Sequence, residues 1–294
     1  RVRSGAAQPP SCSEVARETV EPPGATPSRI DHWLLVEYRG LWSHDALAGS
    51  GLSDQIKARL RELVAARPRT RLLFIRRPDR RHHEGVATYV ADSRAGHERL
   101  AGLELEEHEE LRRIDPFEAA RTLDEPLFLV CTHGKHDRCC ARYGRPLWEG
   151  ISEQLDESSA WQCTHVGGDR FAGNLVALPH GIYYGRVDRD DVGDVLDHHF
   201  SGQLALDRYR GRSCWPFNVQ AAERRVRAEE GLTGIADLSL AGVSREGEHR
   251  WTVRFETRVG VREVEVVEEH GELTLLTCSS PVARRPRRYV AMPR

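Results

Sequence analysis

The sequence has little lysine and no long apolar segment. Lys57 and Lys135 are its only lysines, so arginine supplies nearly all of the positive charge. No apolar run could span a bilayer, and the basic start lacks the apolar core of a secretory signal. The formal net charge of -2 gives no sign of nucleic acid or an anionic membrane as a partner. We therefore expect a cytoplasmic protein that binds neither, whose natural start has been removed or lies upstream of Arg1.

The cysteines also exclude two familiar classes of protein. Seven is an odd number, and a chain of 294 residues does not look like a small secreted disulfide framework. There is no Cys-x-x-Cys pair, so ordinary thioredoxin chemistry is not expected. In a reducing compartment, clustered cysteines more often bind metal or carry out redox chemistry. Cys12 stands alone in the N-terminal arm and is expected to be an ordinary exposed or half-buried thiol. Cys214 and Cys278 are also isolated in the sequence, and we expect no function for them.

Periodicity predicts an α/β chain, α+β overall, in four segments. They are a loose N-terminal arm over residues 1–29, an α/β domain over 30–120, a second over 121–213, and a C-terminal helix with antiparallel strands over 214–294. The first domain is predicted to contain a strand at 33–38, a helix at 53–66 capped by Ser53, a hairpin of strands at 71–76 and 85–92, and a surface helix or irregular link at 97–114. The cationic turn at 76–83 is expected to be solvated.

The second domain repeats this β-α-β-β order, which suggests a duplicated architecture. The pattern predicts a strand at 126–131, a helix at 145–155 with Pro146 in its first turn, a strand at 161–165, a hairpin of strands at 174–178 and 182–187, and a helix at 190–200. A helix at 217–231 with Gly231 as its stop follows, and then four alternating segments that predict an antiparallel meander ending in ELTLLTC.

Residues 131–186 concentrate the chemistry-bearing side chains. Thiols and imidazoles gathered at turns are the usual ligands of a metal centre. The stretch contains Cys131, Cys139, Cys140, Cys163, His133, His136, His165, Asp137 and Asp169. His133 and Asp137 are expected to shape the loop by hydrogen bonding, and Cys139 could replace Cys140 as a ligand.

A glycine turn separates His165 from Asp169. Gly167 and Gly168 would let the backbone approach a cluster closely, and Arg170 could donate a hydrogen bond to its sulfides or form a surface ion pair. The spacing predicts a metal site at Cys131, Cys140 and His165, but it is not a zinc-finger spacing. By itself it leaves zinc and iron–sulfur open.

Two motifs, CTHGKHDRCC and HVGGDRFAGNLVALPHGIYYGRV, resemble the sucrase/ferredoxin-like family. WLLVEYRGLW near the start and the tail CSSPVARRPRRY are also similar to that family, so the resemblance covers most of the chain. It implies a thioredoxin-like ferredoxin domain holding a [2Fe-2S] cluster. The family's two cysteines, on a Cys-x8-Cys loop, correspond to Cys131 and Cys140, and the first histidine of its His-x-Gly-Gly-His motif corresponds to His165.

The second histidine of that motif is replaced by Asp169. Asp169 could bind through a carboxylate oxygen, Cys163 could bind instead, or another histidine or solvent could fill the position and leave a labile cluster. We rank Asp169 ahead of Cys163 because it occupies the matching position.

The resemblance favours a soluble electron-transfer or redox-sensing protein with an unidentified protein partner, an electron carrier rather than a substrate-converting enzyme. The alternative is a zinc-stabilised or thiol-redox α/β protein without a cluster. A glycoside hydrolase is suggested only by the family's name, since no feature singles out a pair of carboxylates.

Overall fold

The computed structural model describes residues 9–77, 84–280 and 282–292. Within those ranges the helices are α1 (Cys12–Glu18), α2 (Asp54–Ala65), α3 (Pro116–Ala119), α4 (Arg138–Ser152), α5 (Val192–Phe200) and α6 (Phe217–Glu230). The strands are β1 (His32–Glu37), β2 (Thr70–Arg76), β3 (Val86–Asp92), β4 (Arg99–Leu105), β5 (Arg121–Leu123), β6 (Leu127–Cys131), β7 (Ala160–Cys163), β8 (Leu175–Leu178), β9 (Ile182–Tyr184), β10 (Tyr209–Arg212), β11 (Leu238–Arg245), β12 (Arg250–Thr257), β13 (Gly260–His270) and β14 (Arg287–Ala291).

Strands β1 to β5 form the first unit of a ten-stranded sheet, in the order β2-β1-β3-β4-β5. β1 is parallel to β2, so the chain needs a crossover between them, and α2 supplies it. Ser53 caps α2 by accepting a hydrogen bond from the backbone N–H of Ile56, as predicted. β3 is antiparallel to β1, and β4 to β3.

The second unit, β6 to β10, has the same strand order, β7-β6-β8-β9-β10. β6 is parallel to β7 with α4 as the crossover, and β8 and β9 add in antiparallel pairs. The order of the first four strands, β7-β6-β8-β9, is that of a thioredoxin-like domain, and the first unit has the same order in β2-β1-β3-β4. The suggested duplication of architecture is therefore present in the structure.

The two units meet through their second strands. β2 and β7 pair antiparallel, with Ile75 opposite Cys163. Next to this pair, Phe74 of β2 and Thr164, which follows β7, exchange two hydrogen bonds. The Phe74 N–H donates to the Thr164 hydroxyl at 3.0 Å, and the Thr164 N–H donates to the Phe74 carbonyl at 2.9 Å. Trp33 of the first unit and Trp161 of the second share one buried cluster. The loop that follows β7 consequently lies at the joint between the units.

The C-terminal unit is a four-stranded antiparallel sheet, β11-β12-β13-β14, covered by α6. Val219 and Val226 of α6 pack in one buried cluster with Val253 and Phe255 of the sheet. Gly231 ends α6 with a left-handed backbone (φ 65°), as predicted. The fourth strand is not the predicted ELTLLTC segment, because β14 at the end of the chain takes the edge beside β13.

Two predictions in the first unit and one for the N-terminal arm were wrong. β2 and β3 are not a hairpin, because β1 lies between them and pairs with both. Residues 97–114 are not a surface helix or irregular link, since they contain strand β4 and then a 3₁₀ turn at His108–Arg112. The N-terminal arm is not loose where it is described. α1 begins with a capping box between Ser11 and Glu14, and it buries Cys12 and Ala16.

Helix α4 also begins earlier than predicted, at Arg138 rather than near residue 145. Asp137 is its N-cap, and Pro146 consequently lies inside the helix instead of in its first turn. Most of the predicted cationic turn, residues 78–83, lies outside the described residues. Among the helices that the structure describes, none combines the length and apolar character needed to cross a membrane.

Candidate metal centre

Two cysteines are brought together where β6 meets α4. Cys131 is the last residue of β6, whose five residues are all buried. Cys140 lies in the first turn of α4, which Asp137 starts by accepting a hydrogen bond from the Cys139 N–H at 2.8 Å. A Cβ at Gly144 would overlap the carbonyl oxygen of Cys131, so glycine is needed for α4 to approach this strand end. Thiols near a helix N-terminus are favoured as thiolates.

The second donor loop follows β7. Gly167 and Gly168 have left-handed backbones (φ 94° and 82°), which turn the chain between His165 and Asp169. The buried guanidinium of Arg210 donates to the Gly167 carbonyl at 3.1 Å and to the Asn174 side chain at 2.7 Å. The side chain of Asn174 in turn donates to the Gly168 carbonyl at 3.0 Å. Two side chains of the same unit, Arg210 and Asn174, thus hold the glycine turn in place.

The donor atoms of the two loops converge. One donor atom each from Cys131, Cys140 and His165 lie within 4.8 Å of one another. Cys140 Sγ is 3.7 Å from His165 Nδ1 and 3.8 Å from Asp169 Oδ1. The His165 and Asp169 donors are themselves 3.2 Å apart. These are the four residues predicted to bind the metal.

Each of these groups is electrostatically perturbed by its neighbours. The hydrogen bond from Cys140 lowers the pKa of Cys131 well below its usual range, against the effect of burial. The same bond and burial raise the pKa of Cys140. Burial acts to lower the pKa of His165, but Cys131 and Asp169 raise it overall. Burial raises the pKa of Asp169 to about 6. Soft thiolates beside an imidazole form a donor set for zinc or iron–sulfur.

Three other histidines support His165. His133 accepts a hydrogen bond from the His165 N–H at 3.3 Å, and its Nε2 lies 2.7 Å from the Ser43 carbonyl. The ring of His136 stacks on that of His165, with centroids 3.8 Å apart, and a donor atom of His136 also lies within 4.8 Å of those of His165 and Asp169. His44 stacks on the other side of His136 at 4.8 Å.

A pocket of about 430 Å³ opens beside this column of rings. Both thioredoxin-like units line it, since Leu72 and Phe74 come from the first and Thr164 and His165 from the second. The side chain of His165 is 18% exposed, whereas that of Asp169 is 7% exposed. The imidazole is therefore the donor with the greater access to solvent.

The remaining predicted site residues lie elsewhere. Cys163 pairs in register with Cys131 on the neighbouring strand and is fully buried, but it belongs to none of the close donor groups among the described residues. Cys139 faces Cys12 and Cys278 on the other side of the helix start. Arg170 donates to the Glu21 carboxylate at 3.0 Å, so it forms an ion pair, but this pair is mostly buried and not at the surface as the alternative expected.

Several residues of this region could not be identified from the sequence. Arg210 lies 36 residues beyond Asn174, and His44 lies 92 residues before His136. No spacing rule links positions so far apart. The expectation that Cys12 would be an ordinary exposed or half-buried thiol was wrong, because its side chain is fully buried against Cys139. This contact forms only because the segments that carry Cys12 and Cys278 fold onto α4.

Comparison with known proteins agrees with the family resemblance. The profile of the family described as sucrase/ferredoxin-like matches residues 23–211. Altered inheritance of mitochondria protein 32 from Meyerozyma guilliermondii is 35% identical over 105 residues, which is 32% of this chain and 37% of that protein. The chain thus spans little more than a third of the length of this curated relative.

Solved structures of a thioredoxin-like [2Fe-2S] ferredoxin from Aquifex aeolicus also match part of the chain. One is 17% identical and covers 32% of this chain and 97% of its own, with a TM-score of 0.28. The wild-type form is also 17% identical and covers 30% and 97%, with a TM-score of 0.26. The profile match over residues 23–211 covers more than half of the chain, and this protein belongs to the sucrase/ferredoxin-like family.

Proposed function

We propose that this protein is an iron–sulfur protein that holds a [2Fe-2S] cluster through Cys131, Cys140, His165 and Asp169 and acts in electron transfer or redox sensing. The observation that carries the proposal is the convergence of two thiols, an imidazole and a carboxylate from two loops of one thioredoxin-like unit. Membership of the sucrase/ferredoxin-like family points in the same direction.

The residues present fit such a cluster in their chemistry. Thiolates and imidazoles are the protein ligands of mixed-ligand [2Fe-2S] centres, and the cysteines here are buried from solvent. The bound group would supply a one-electron redox centre whose potential depends on its ligands and hydrogen bonds. Asp169 is the departure from two-histidine ligation. A carboxylate is a harder donor than an imidazole, so we expect a lower potential than in a relative with two histidines.

His165 is the group that would couple electron transfer to protons. Its Nδ1 faces Cys140 and Asp169, so its Nε2 is the outer nitrogen. The side chain lines the pocket between the two units, where solvent can exchange a proton with it. His136 holds the ring by stacking on one of its faces, and His133 accepts a hydrogen bond from the His165 backbone N–H. We place electron exchange with a redox partner protein at this pocket, because His165 lines it and the two cysteines are buried from solvent.

The compartment and partner classes are proposals as well. All seven cysteines are free, which suits a reducing compartment such as the cytoplasm. A net charge of -2 supports a protein partner over nucleic acid or an anionic membrane surface.

The test begins with anaerobically purified protein. We expect visible absorption, iron and acid-labile sulfide in equal amounts, and a rhombic EPR signal after reduction. Cys131→Ser should remove all three, whereas Cys214→Ser should not. Cys214 is a matched control because it is also buried but belongs to none of the close donor groups among the described residues. A colourless protein without iron or sulfide would refute the proposal.

The fourth ligand is tested separately. We expect Asp169→Asn to shift the EPR signal and Cys163→Ser to leave it unchanged. Asp169 lies 3.2 Å from His165 and 3.8 Å from Cys140, whereas Cys163 belongs to none of the close donor groups among the described residues. A shift in Cys163→Ser alone would transfer the role to Cys163.

A single zinc ion at the same residues is the second candidate. It is favoured by the compactness of the site, since one donor atom from each of Cys131, Cys140 and His165 lies within 4.8 Å of the others. One ion fits such a spacing directly, whereas a two-iron cluster must hold its donor pairs apart. Stoichiometric zinc without sulfide, lost in Cys131→Ser, would establish this alternative.

A further inference from the structure

A second group of thiols lies on the far side of the start of α4. Cys12 comes from α1, Cys139 from the first turn of α4, and Cys278 from the segment between β13 and β14. The sulfurs of Cys12 and Cys139 are 3.6 Å apart, and each lies 3.5 Å from that of Cys278. The three sulfurs therefore form a nearly equilateral triangle. Cys12 and Cys139 are fully buried.

Asp137 completes this group. Its Oδ2 lies 3.9 Å from the sulfur of Cys12, and one donor atom from each of the four residues lies within 4.8 Å of the others. We infer that Cys12, Cys139, Cys278 and Asp137 form a second metal site, separate from the proposed cluster site, for one thiophilic divalent cation such as zinc.

The spacing of the sulfurs favours one ion. Zinc–sulfur bonds of about 2.3 Å in a tetrahedron place the sulfurs about 3.8 Å apart, close to the distances found here. A disulfide would use two of the three thiols and would leave the third without a role. The distances of 3.5 to 3.6 Å are also far longer than a sulfur–sulfur bond of about 2.05 Å. A triangle of equal sides is the arrangement expected of three ligands around one centre.

The carboxylate of Asp137 is already oriented for binding. Its Oδ1 accepts the Cys139 N–H at 2.8 Å, and its Oδ2 accepts the Cys278 N–H at 2.6 Å and the Thr277 hydroxyl at 2.8 Å. The Thr277 hydroxyl also lies 2.8 Å from Ser279 Oγ, so it can turn to that partner and free a lone pair for the metal. These bonds hold the Asp137 carboxylate in place as the fourth ligand.

Binding at this site would connect both ends of the chain to α4. Each cysteine that binds as a thiolate releases its proton to solvent, so binding should be weaker in acid. Ser13, next to Cys12, donates to the backbone carbonyl of Asp169 at 2.9 Å. An ion at the second site would consequently stabilise α1 against the loop that carries Asp169. We assign it a structural role.

The test uses the whole 294-residue chain purified with zinc under reducing conditions. We expect elemental analysis to find one zinc ion per chain that disappears in Cys12→Ser and Cys278→Ser. The same ion should remain in Cys214→Ser and in Cys131→Ser. Cobalt should replace it and give thiolate-to-metal absorption that Cys12→Ser and Cys278→Ser both lose. Zinc content unchanged in a Cys12→Ser and Cys278→Ser double variant would overturn the inference.

A measurement on the unmodified chain covers the case in which a variant fails to fold. Bound zinc should slow alkylation of Cys12, Cys139 and Cys278 by roughly tenfold or more relative to the chelator-treated chain, with no such change at Cys214. Equal alkylation rates with and without zinc, or a disulfide among the three under these conditions, would refute the site.

The outcome is independent of the proposed cluster. Visible colour retained in a chain without zinc would reject only the second site. A colourless chain whose zinc is lost in Cys12→Ser but kept in Cys131→Ser would reject only the first.

Discussion

The two thioredoxin-like units share one strand order but differ in the residues at the end of their first strand. In the second unit, β6 ends at Cys131 and the next helix begins beside Cys140. In the first unit, β1 ends at Glu37, whose buried carboxylate pairs with Arg39 at 3.1 Å and Arg77 at 3.6 Å. One framework therefore presents a thiol where the other presents an ion pair. The chemistry depends on residues at the strand ends, and the fold alone does not specify it.

The first unit nevertheless contributes to the site. Its loop after β1 offers the carbonyls of Ser43 and His44 to His133 and His136, and the ring of His44 stacks on that of His136. The second unit holds the donor atoms, and the first unit orients the residues around them. This division follows from the β2–β7 pairing, which brings the two loops to the same edge.

Replacing the groups at the strand ends should separate the two units most strongly. Cys140→Ser should abolish nearly all metal binding at the proposed cluster site, because a hydroxyl is a poor ligand for a soft metal. Glu37→Gln should leave the metal content unchanged and lower the free energy of unfolding by about 1–3 kcal/mol, because Arg39 and Arg77 lose a charged partner. Metal analysis and urea unfolding of both variants measure this. Equal metal loss in the two variants would contradict the division of roles.

The next largest effect is expected where α4 approaches Cys131. Gly144→Ala should destabilise the protein by about 3 kcal/mol and reduce its metal content, since the new Cβ would overlap the Cys131 carbonyl. Gly193→Ala in α5 is the matched control. A Cβ there meets only Gln154 Oε1 at 3.8 Å, so this change should stabilise the protein by about 0.5–1 kcal/mol. Urea unfolding gives both values, and similar losses would show that crowding at Cys131 is not the cause.

His199, in helix α5 of the second unit, should make the stability of the protein depend on acid rather than on metal. Burial lowers the pKa of His199 from 6.5 to about 4, so between these values the unfolded chain binds a proton that the native state does not. Stability should therefore fall as the pH falls through this window. We expect His199→Phe to recover about 2 kcal/mol of the stability lost between about pH 7 and about pH 5.

His198→Gln serves as the control for this change, because His198 is adjacent on α5 and its side chain is 35% exposed. Urea unfolding at the two pH values should give this control the same acid loss as the unmodified chain. An unchanged pH slope in His199→Phe would show that another group dominates.

The smallest expected effect concerns the helix caps. Ser53→Ala should cost about 1 kcal/mol, because α2 loses the side-chain acceptor for the Ile56 N–H. Its metal content should remain that of the unmodified chain, because α2 carries no donor of the site. Arg61 is an exposed residue of the same helix, and Arg61→Ala should change stability by less than about 0.5 kcal/mol. Metal loss in Ser53→Ala would mean that the stability of the first unit affects the positions of the donor atoms in the second.

Much of the local structure could be predicted from the sequence. Periodicity and turn residues identified α2 with its Ser53 cap and α6 with its Gly231 stop, because these depend on neighbours a few residues apart. The residues of the proposed cluster site could be named from their spacing and from the family resemblance. Pairing was predicted less well. β2 and β3 are consecutive strands that pair with β1 instead of each other, and no local pattern distinguishes these arrangements.

The sequence by itself determined the type of chemistry: thiols, imidazoles and a carboxylate on two short loops, at Cys131, Cys140, His165 and Asp169. Only the tertiary structure decided which groups surround them. The β2–β7 pairing placed His44 beside His136, and the packing of both chain ends against α4 brought Cys12 and Cys278 to Cys139. Such contacts join positions more than 90 residues apart, with separations of 92 for the His44–His136 pair and 266 for the Cys12–Cys278 pair. Burial of apolar surface selects them for the whole chain at once, so no short segment carries their signal.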